Sequence, residues 1–125
     1  MEPTQSPTES QPVETAESLA QQGLEHLHSG NPAAAAQSFA ASIATDPNHI
    51  EAHHGLVRAL TDSGQLTAAI QAAEALTRLT PDDPLAFAGL SIALQRAGQI
   101  PEAESAAGRA RILEWKHQLA GDPPE

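Results

Sequence analysis

The end of one helix, a tight turn and the start of the next are predicted by the stretch Gly55-Leu56-Val57-Arg58-Ala59-Leu60-Thr61-Asp62-Ser63-Gly64-Gln65-Leu66-Thr67-Ala68-Ala69-Ile70. Residues of the same type recur along the chain at a fixed spacing. For example, Gly64 follows Gly30 by as many residues as Gly98 follows Gly64. Self-similarity at this period is typical of helical solenoids, in which each repeat is one helix-turn-helix unit. The pattern therefore predicts an all-α solenoid. The residues that share the spacing are Gly30, Gly64 and Gly98, then Ala35, Ala69 and Ala103, and finally Pro47 and Pro81.

Length and composition agree with a single helical domain. The chain has 125 residues, which is the usual size of one domain. Ala and Leu dominate its apolar residues, whereas aromatic residues make up 2%. Since strands favour β-branched and aromatic residues, strands are not expected. The absence of cysteine excludes disulfides, thiolate metal sites and thiol catalysis.

The formal charge of −10 argues against nucleic acid and against an anionic membrane surface, because both attract clustered Lys and Arg. The charge is also uneven. Residues 1–57 carry seven acidic and no basic residues, whereas residues 58–125 carry nine acidic and all six basic ones. This asymmetry has two interpretations: acidic solubilisation of the chain, or steering of a basic partner towards its N-terminal end.

The ends of the chain differ in composition from its middle. Residues 1–12 hold three prolines among Ser, Thr, Gln and Glu, and such a segment cannot bury enough apolar surface to offset its ordering entropy. We expect a disordered tail over 1–12, a helical domain over 13–120 and a disordered C-terminus over 121–125. Neither a secretory signal nor an apolar run of membrane-spanning length is visible, so a cytoplasmic location is expected.

Turn signals and apolar spacing predict six helices, at about 13–29, 32–45, 48–63, 66–79, 84–97 and 101–119. Left-handed glycines are expected to end the first, third and fifth of these, and Asn31 and Asp83 are expected to be N-caps. The sixth helix should place Ala103, Ala107 and Ala110 on its inner face. A second apolar stripe on that helix, made of Ile112, Trp115 and Leu119, has two interpretations: it closes the end of the stack, or it forms a self-association surface.

At these positions the chain resembles the tetratricopeptide repeat (TPR) family. That pattern sets a large apolar residue, Leu-Gly, an aromatic, a small Ala, an aromatic, another Ala and a closing Pro. The resemblance implies a right-handed α-solenoid of three repeats, at about 16–49, 50–83 and 84–117, with an extended C-terminal capping helix. The corresponding positions are Leu19, Gln22-Gly23, His26, Ala35, Phe39, Ser42 and Pro47; His53, Leu56-Val57, Leu60, Ala69, Ala73, Leu76 and Pro81; and Phe87, Leu90-Ser91, Leu94, Ala103, Ala107 and Ala110. The chain departs from the pattern at Gln22 and His26, which replace apolar residues, and at Trp115, which replaces the closing proline.

The resemblance further implies a non-catalytic adaptor or scaffold that holds a peptide or helix of a partner protein in a concave groove. The first helix of each repeat lines that groove. One subfamily grips a C-terminal carboxylate there, but the equivalent positions in this chain lack side-chain donors, so that ligand is not expected. By the register of the repeats, the expected groove residues are Ala20, Leu24, Leu27, His28, His54, Arg58, Asp62, Leu85, Ala88, Ile92, Gln95 and Arg96.

Two alternatives to groove binding follow from other features. Ile112, Trp115 and Leu119 would make the protein a self-associating module, in the simplest case a homodimer. His49 and His53 have the spacing of metal ligands on one helix face, but no third ligand is set by spacing, so no metal and no cofactor are expected. Motifs for phosphate binding, a nucleophile elbow or paired carboxylates are absent, and the chain is not expected to be an enzyme.

Overall fold

The computed structural model describes residues 14–121, and within them the chain forms six helices and no strand. The all-α prediction is therefore confirmed. The expected tail over 1–12 lies outside the described residues, and so does the expected disordered C-terminus over 121–125 except for Gly121, which belongs to the last helix. Within this range no helix combines the length and apolar character needed to cross a membrane. The helices are α1 (Ala16–His28), α2 (Pro32–Thr45), α3 (Ile50–Asp62), α4 (Leu66–Leu79), α5 (Pro84–Arg96) and α6 (Ile100–Gly121).

The turn inside each helix pair has the same geometry three times. Gly30, Gly64 and Gly98 adopt φ of 80°, 80° and 82°, which confirms the prediction of left-handed residues at these positions. In each turn the residue after the glycine donates its backbone N–H to a carbonyl five residues earlier, the six-to-one bond of a Schellman motif. The bonds join Asn31 to His26 at 2.8 Å, Gln65 to Leu60 at 2.9 Å and Gln99 to Leu94 at 2.9 Å.

Side-chain caps at the first helix of each pair recur with the same period as the glycines. Thr15, His49 and Asp83 each accept a hydrogen bond from a backbone N–H in the first turn of the following helix. Thr15 forms a full capping box with Ser18, so α1 starts at Ala16, later than expected. The second helices start differently: Asn31 is the N-cap residue of α2, as expected, but its side chain makes no capping hydrogen bond.

The helices pack in an uneven way that curves the stack. Every helix packs on its neighbours in sequence, and α3 additionally packs on both α1 and α5. The second helices α2, α4 and α6 make no such contact with one another within residues 14–121. The first helices therefore form a continuous layer while the second helices spread apart, which puts α1, α3 and α5 on the inner side of the curve.

The largest fully buried side chain among the described residues is Phe39 of α2, whose ring lies between two glycines. A Cβ built on Gly23 of α1 would stand 2.7 Å from Phe39 Cε1, and a Cβ on Gly55 of α3 would stand closer still. Both distances are too short for a real carbon atom. α1 and α3 can therefore pack against the Phe39 ring only because residues 23 and 55 are glycines. Phe39 is 1% exposed and joins α1, α2 and α3 into one core.

The inner face of α6 is rotated from the expected one. Ala103, Ala106, Ala110 and Leu113 are buried, whereas Ala107 is only half-buried. The spacing of the buried residues is three, four and three, which defines a single helix face. Leu113, at 2% exposure, belongs to this face, so the centre of the face is rotated around the helix away from Ala107. Ala107 therefore lies at its margin.

We predict that Gly55→Ala lowers the free energy of unfolding by about 1–3 kcal/mol, because the new methyl group overlaps the Phe39 ring. This loss should appear although Ala normally exceeds Gly in a helix interior by about 1 kcal/mol. The matched control is Gly89→Ala at the equivalent position of the next repeat, where the nearest atom to the new Cβ is Val57 Cγ1 at 3.5 Å.

Gly89→Ala should leave the protein as stable or up to about 1 kcal/mol more stable. Urea unfolding followed by circular dichroism measures both variants. Equal effects of the two substitutions would show that the contact with Phe39 does not determine the response.

Candidate functional site

Two open cavities lie side by side on the inner layer. The N-terminal cavity, between α1 and α3, has a volume of about 360 Å³. Apolar side chains of α1 form one of its walls, and the buried Phe39 ring forms part of its base. Its lining consists of Ala20, Leu24, Leu27, Phe39, Glu51, His54, Gly55 and Arg58.

The C-terminal cavity, between α3 and α5, is larger at about 560 Å³. His54 and Arg58 line both cavities, so the two are contiguous across the middle of α3. We refer to the two cavities together as the groove. The lining of the C-terminal cavity consists of His54, Val57, Arg58, Thr61, Asp62, Leu76, Leu85, Ala88, Gly89, Ile92 and Arg96.

Large apolar side chains are exposed at the two ends of the groove. Leu24 is 40% exposed at one end, and Leu85 and Ile92 are 65% and 50% exposed at the other. Each end is built by helical spacing, since residues three and four apart share one face: Ala20, Leu24 and Leu27 in α1, and Leu85, Ala88 and Ile92 in α5. Exposed apolar residues gathered in one concavity are typical of a binding surface.

The structure brings most of the residues expected from the repeat register into the groove. His28 and Gln95 differ: both are exposed, and neither lines a cavity. Each is close to the C-terminal end of its helix, at the margin of the inner face. The other expected residues, Ala20, Leu24, Leu27, His54, Arg58, Asp62, Leu85, Ala88, Ile92 and Arg96, line one or both cavities.

Several lining residues were not expected from the sequence. Phe39, Val57 and Leu76 occupy packing positions of the repeat, yet each also reaches the surface of a cavity. Gly55 and Gly89, which the repeat register places at groove positions, contribute bare backbone to the lining. These glycines occupy equivalent positions in consecutive repeats, and that spacing was a signal in the sequence that two neighbouring first helices would both present backbone to the groove.

A polar link holds α3 to the start of α5 beside the groove. The His54 ring donates from Nε2 to Asp83 Oδ2 at 2.9 Å, and Asp83 Oδ1 accepts the Leu85 backbone N–H at 2.9 Å. The two side chains are 29% and 27% exposed, so the pair is only partly shielded from water. Asp83 therefore caps α5 and, at the same time, fixes the side chain of the histidine that both cavities share.

The charges in the middle of the groove are mixed. Arg58 Nε lies 3.5 Å from Asp62 Oδ2, but the Arg58 side chain is 73% exposed, and such surface pairs add little stability. Within residues 14–121 Arg96 forms no salt bridge. The groove thus offers apolar contacts at its ends and both signs of charge between them.

The histidines with metal-like spacing have local structural roles. His49 Nδ1 accepts the Ala52 backbone N–H at 3.2 Å, and His53 donates from Nε2 to the Pro47 carbonyl at 2.7 Å. In the part of the chain that the structure describes, no group of three His, Asp or Glu side chains is arranged to hold a metal ion. These two histidines stabilise the start of α3.

Comparison with known families and solved structures shows which proteins have a similar sequence or fold. A family model described as tetratricopeptide repeat matches residues 26–91, just over half of the chain. No curated protein sequence matches significantly.

Solved structures of low sequence identity share the fold. The second TPR of Spaghetti (RPAP3), bound to the HSP90 peptide SRMEEVD, has a TM-score of 0.74 at 19% identity; the match covers 80% of this chain and 93% of that one. The type III secretion translocator chaperone SycD of Yersinia enterocolitica has a TM-score of 0.75 at 24% identity, covering 89% and 80%. YrrB, a TPR protein with an unusual peptide-binding site, has a TM-score of 0.78 at 19% identity, covering 87% and 56%. The helical-repeat solenoid expected from the sequence is confirmed.

We predict that Asp83→Ala lowers the free energy of unfolding by about 1–2 kcal/mol, because α5 loses its N-cap. The matched control is Asn31→Ala, at an N-cap position whose side chain makes no capping hydrogen bond. That substitution should change stability by less than about 0.5 kcal/mol. Thermal or urea unfolding compares the two variants, and a loss as large for Asn31→Ala would contradict the assigned difference between the caps.

Proposed function

The chain belongs to the tetratricopeptide repeat family, and we propose that it is a protein-interaction module that binds a peptide or a helix of a partner protein in its groove. The observation that carries the proposal is the pair of contiguous cavities with exposed apolar side chains at both ends. The peptide-bound structure of the second TPR of Spaghetti and the peptide-binding site of YrrB support a function of this kind.

The dimensions of the groove suit a short segment. Packed helices lie about 8–10 Å apart, so the three first helices span roughly 20 Å from axis to axis. An extended peptide of about six residues covers that distance, and a helix needs about 13 residues. Because His54 and Arg58 line both cavities, one such segment would contact the whole groove without a break.

The proposed ligand has apolar side chains at two separated points. One would contact Leu24 and Leu27 in the N-terminal cavity, and the other would contact Leu85 and Ile92 in the C-terminal cavity. Recognition of a peptide or helix by apolar anchors in a groove is a common mode, and the intervening polar residues set its orientation. A grip on a C-terminal carboxylate is not part of the proposal. The positions equivalent to those that hold a carboxylate in one subfamily have no side-chain hydrogen-bond donor; they are Ala20, Leu24, Gly55, Leu85 and Gly89.

The test is affinity capture from a lysate of the source organism with three baits: the unaltered chain, a Leu24→Arg, Ile92→Arg double variant, and Leu119→Asp. The altered leucine and isoleucine are exposed, so the double variant should fold, and circular dichroism checks this. The partner should be retained by the unaltered chain and by Leu119→Asp, which leaves the groove intact. A peptide from the captured protein should then bind the double variant at least about tenfold more weakly, as for loss of a hot spot.

A partner that binds all three baits equally would contradict binding in the groove. A partner that is lost with Leu119→Asp, but retained by the double variant, would instead place the interaction on α6.

A further inference from the structure

The C-terminal half of α6 presents an apolar stripe that no described part of the chain covers. Ile112, Trp115 and Leu119 are 48%, 62% and 64% exposed. α6 has 22 residues against 13 in α5, on which it packs, and residues 114–121 are all exposed. The stripe lies on the opposite side of the helix from Ala106, Ala110 and Leu113, which form the buried face. It is therefore a surface separate from the groove.

The spacing along this stripe is that of a coiled-coil seam. Gly108, Ile112, Trp115 and Leu119 are separated by four, three and four residues, which is the a/d pattern of a heptad. Such a face is complementary to another amphipathic helix, and the glycine lets a second helix approach closely. The stripe is thus suited to a helix rather than to an extended peptide.

The charges beside the stripe are basic, although the chain as a whole is acidic. Residues 109–121 contain Arg109, Arg111 and Lys116 but only one acidic residue, Glu114, whereas the formal charge of the chain is −10. Arg111 Nη2 lies 3.7 Å from the point where a Gly108 Cβ would stand, which places this guanidinium next to the stripe. Half of the six basic residues of the chain are therefore concentrated here.

These cations have no carboxylate partner in the part of the chain that the structure describes. The salt bridges within residues 14–121 involve His54 with Asp83 and Arg58 with Asp62, not α6. Arg109 lies 5.9 Å from the centroid of the Phe87 ring, a cation–π contact that orients the side chain without neutralising it. Among the described residues, the stripe thus combines exposed apolar side chains with cations that form no salt bridge.

We propose that α6 docks an acidic amphipathic helix of a partner protein, with apolar side chains against Ile112, Trp115 and Leu119 and carboxylates against Arg109, Arg111 and Lys116. In heptad terms Arg109 and Lys116 lie at e positions and Arg111 lies at a g position, where charge selects the partner of a coiled coil. A helix with Asp or Glu at the facing positions satisfies all three cations.

A second copy of this chain fits the apolar stripe but not its charges. In an antiparallel pair that aligns the whole stripe, e positions face each other, so Arg109 meets Lys116 of the other copy. In a parallel pair, Arg111 meets Lys116. Like charges at these positions disfavour pairing. An anionic membrane would attract the same cations, but it would repel the remainder of a chain with a formal charge of −10.

The test uses two synthetic helical peptides of roughly three heptads, each with Leu at every a and d position. One peptide has Glu and the other has Lys at every e and g position, whereas their apolar faces are identical. Like charges keep each peptide from pairing with its own copies. Labelled peptide is titrated with the full chain, and fluorescence anisotropy gives the Kd. The Glu peptide should bind at least about tenfold more tightly than the Lys peptide, and its affinity should fall as salt is added.

Variants locate the binding surface. Trp115→Asp should weaken binding of the Glu peptide at least about tenfold. Arg111→Glu should reduce the preference for the Glu peptide at least about threefold. Arg78→Glu, an equal charge change at an exposed position of α4, is the matched control and should leave the preference unchanged. The groove variant Leu24→Arg, Ile92→Arg should also bind the Glu peptide normally.

Equal binding of the two peptides, no binding of either, or an unaltered Kd for Trp115→Asp would overturn the proposal. Loss of binding in the groove variant would place the peptide in the groove instead. A molar mass by light scattering of twice the 13.0 kDa chain would assign the stripe to a second copy, and co-sedimentation with phosphatidylserine vesicles would assign it to a membrane surface.

Discussion

The close contact of the Phe39 ring with two glycines is the constraint on which the first half of the stack depends. Gly23 and Gly55 belong to different helices, and a methyl group on either would overlap the ring. The large residue therefore requires small ones on both sides. The second repeat reverses this distribution of volume, because it has Ala73 where the first has Phe39 and Val57 where the first has Gly23. Volume conserved in this way keeps the spacing between helices similar while the side chains differ.

That close contact also shapes the groove. Because Gly55 lets α3 approach the Phe39 ring, the ring becomes part of the base of the N-terminal cavity as well as the centre of the core. One repeat later, Gly89 meets Val57 at an ordinary distance, and the neighbouring cavity is larger. The Phe39 ring lines the N-terminal cavity, and Val57 and Leu76 line the C-terminal one. Asp83 completes the wall between α3 and α5 by capping one helix and binding His54 of the other.

The protein has two exposed apolar surfaces with different electrostatic character. The groove carries both signs of charge around Leu24, Leu85 and Ile92. The stripe on α6 is flanked mainly by cations and lies on a helix that extends past the one it packs against. Two surfaces of this kind would allow the module to hold two partners at once, and the proposed ligands differ accordingly: an apolar peptide or helix in the groove, and an acidic helix on α6.

The sequence by itself determined the period, the six helices and the turns between them. These features depend on residues close together in the chain, such as Gly64 with its left-handed φ and Asp83 as a cap. The repeat register also predicted the helix face that carries Leu24, Arg58 and Ile92, because helical spacing is local. Only the tertiary structure decided that Phe39 would reach the groove, that α6 would bury Ala106 and Leu113 rather than centre on Ala107, and that His28 and Gln95 would lie outside the cavities. Those outcomes depend on how far apart helices settle and how each is rotated, and both are set by side-chain volumes from different helices packing together.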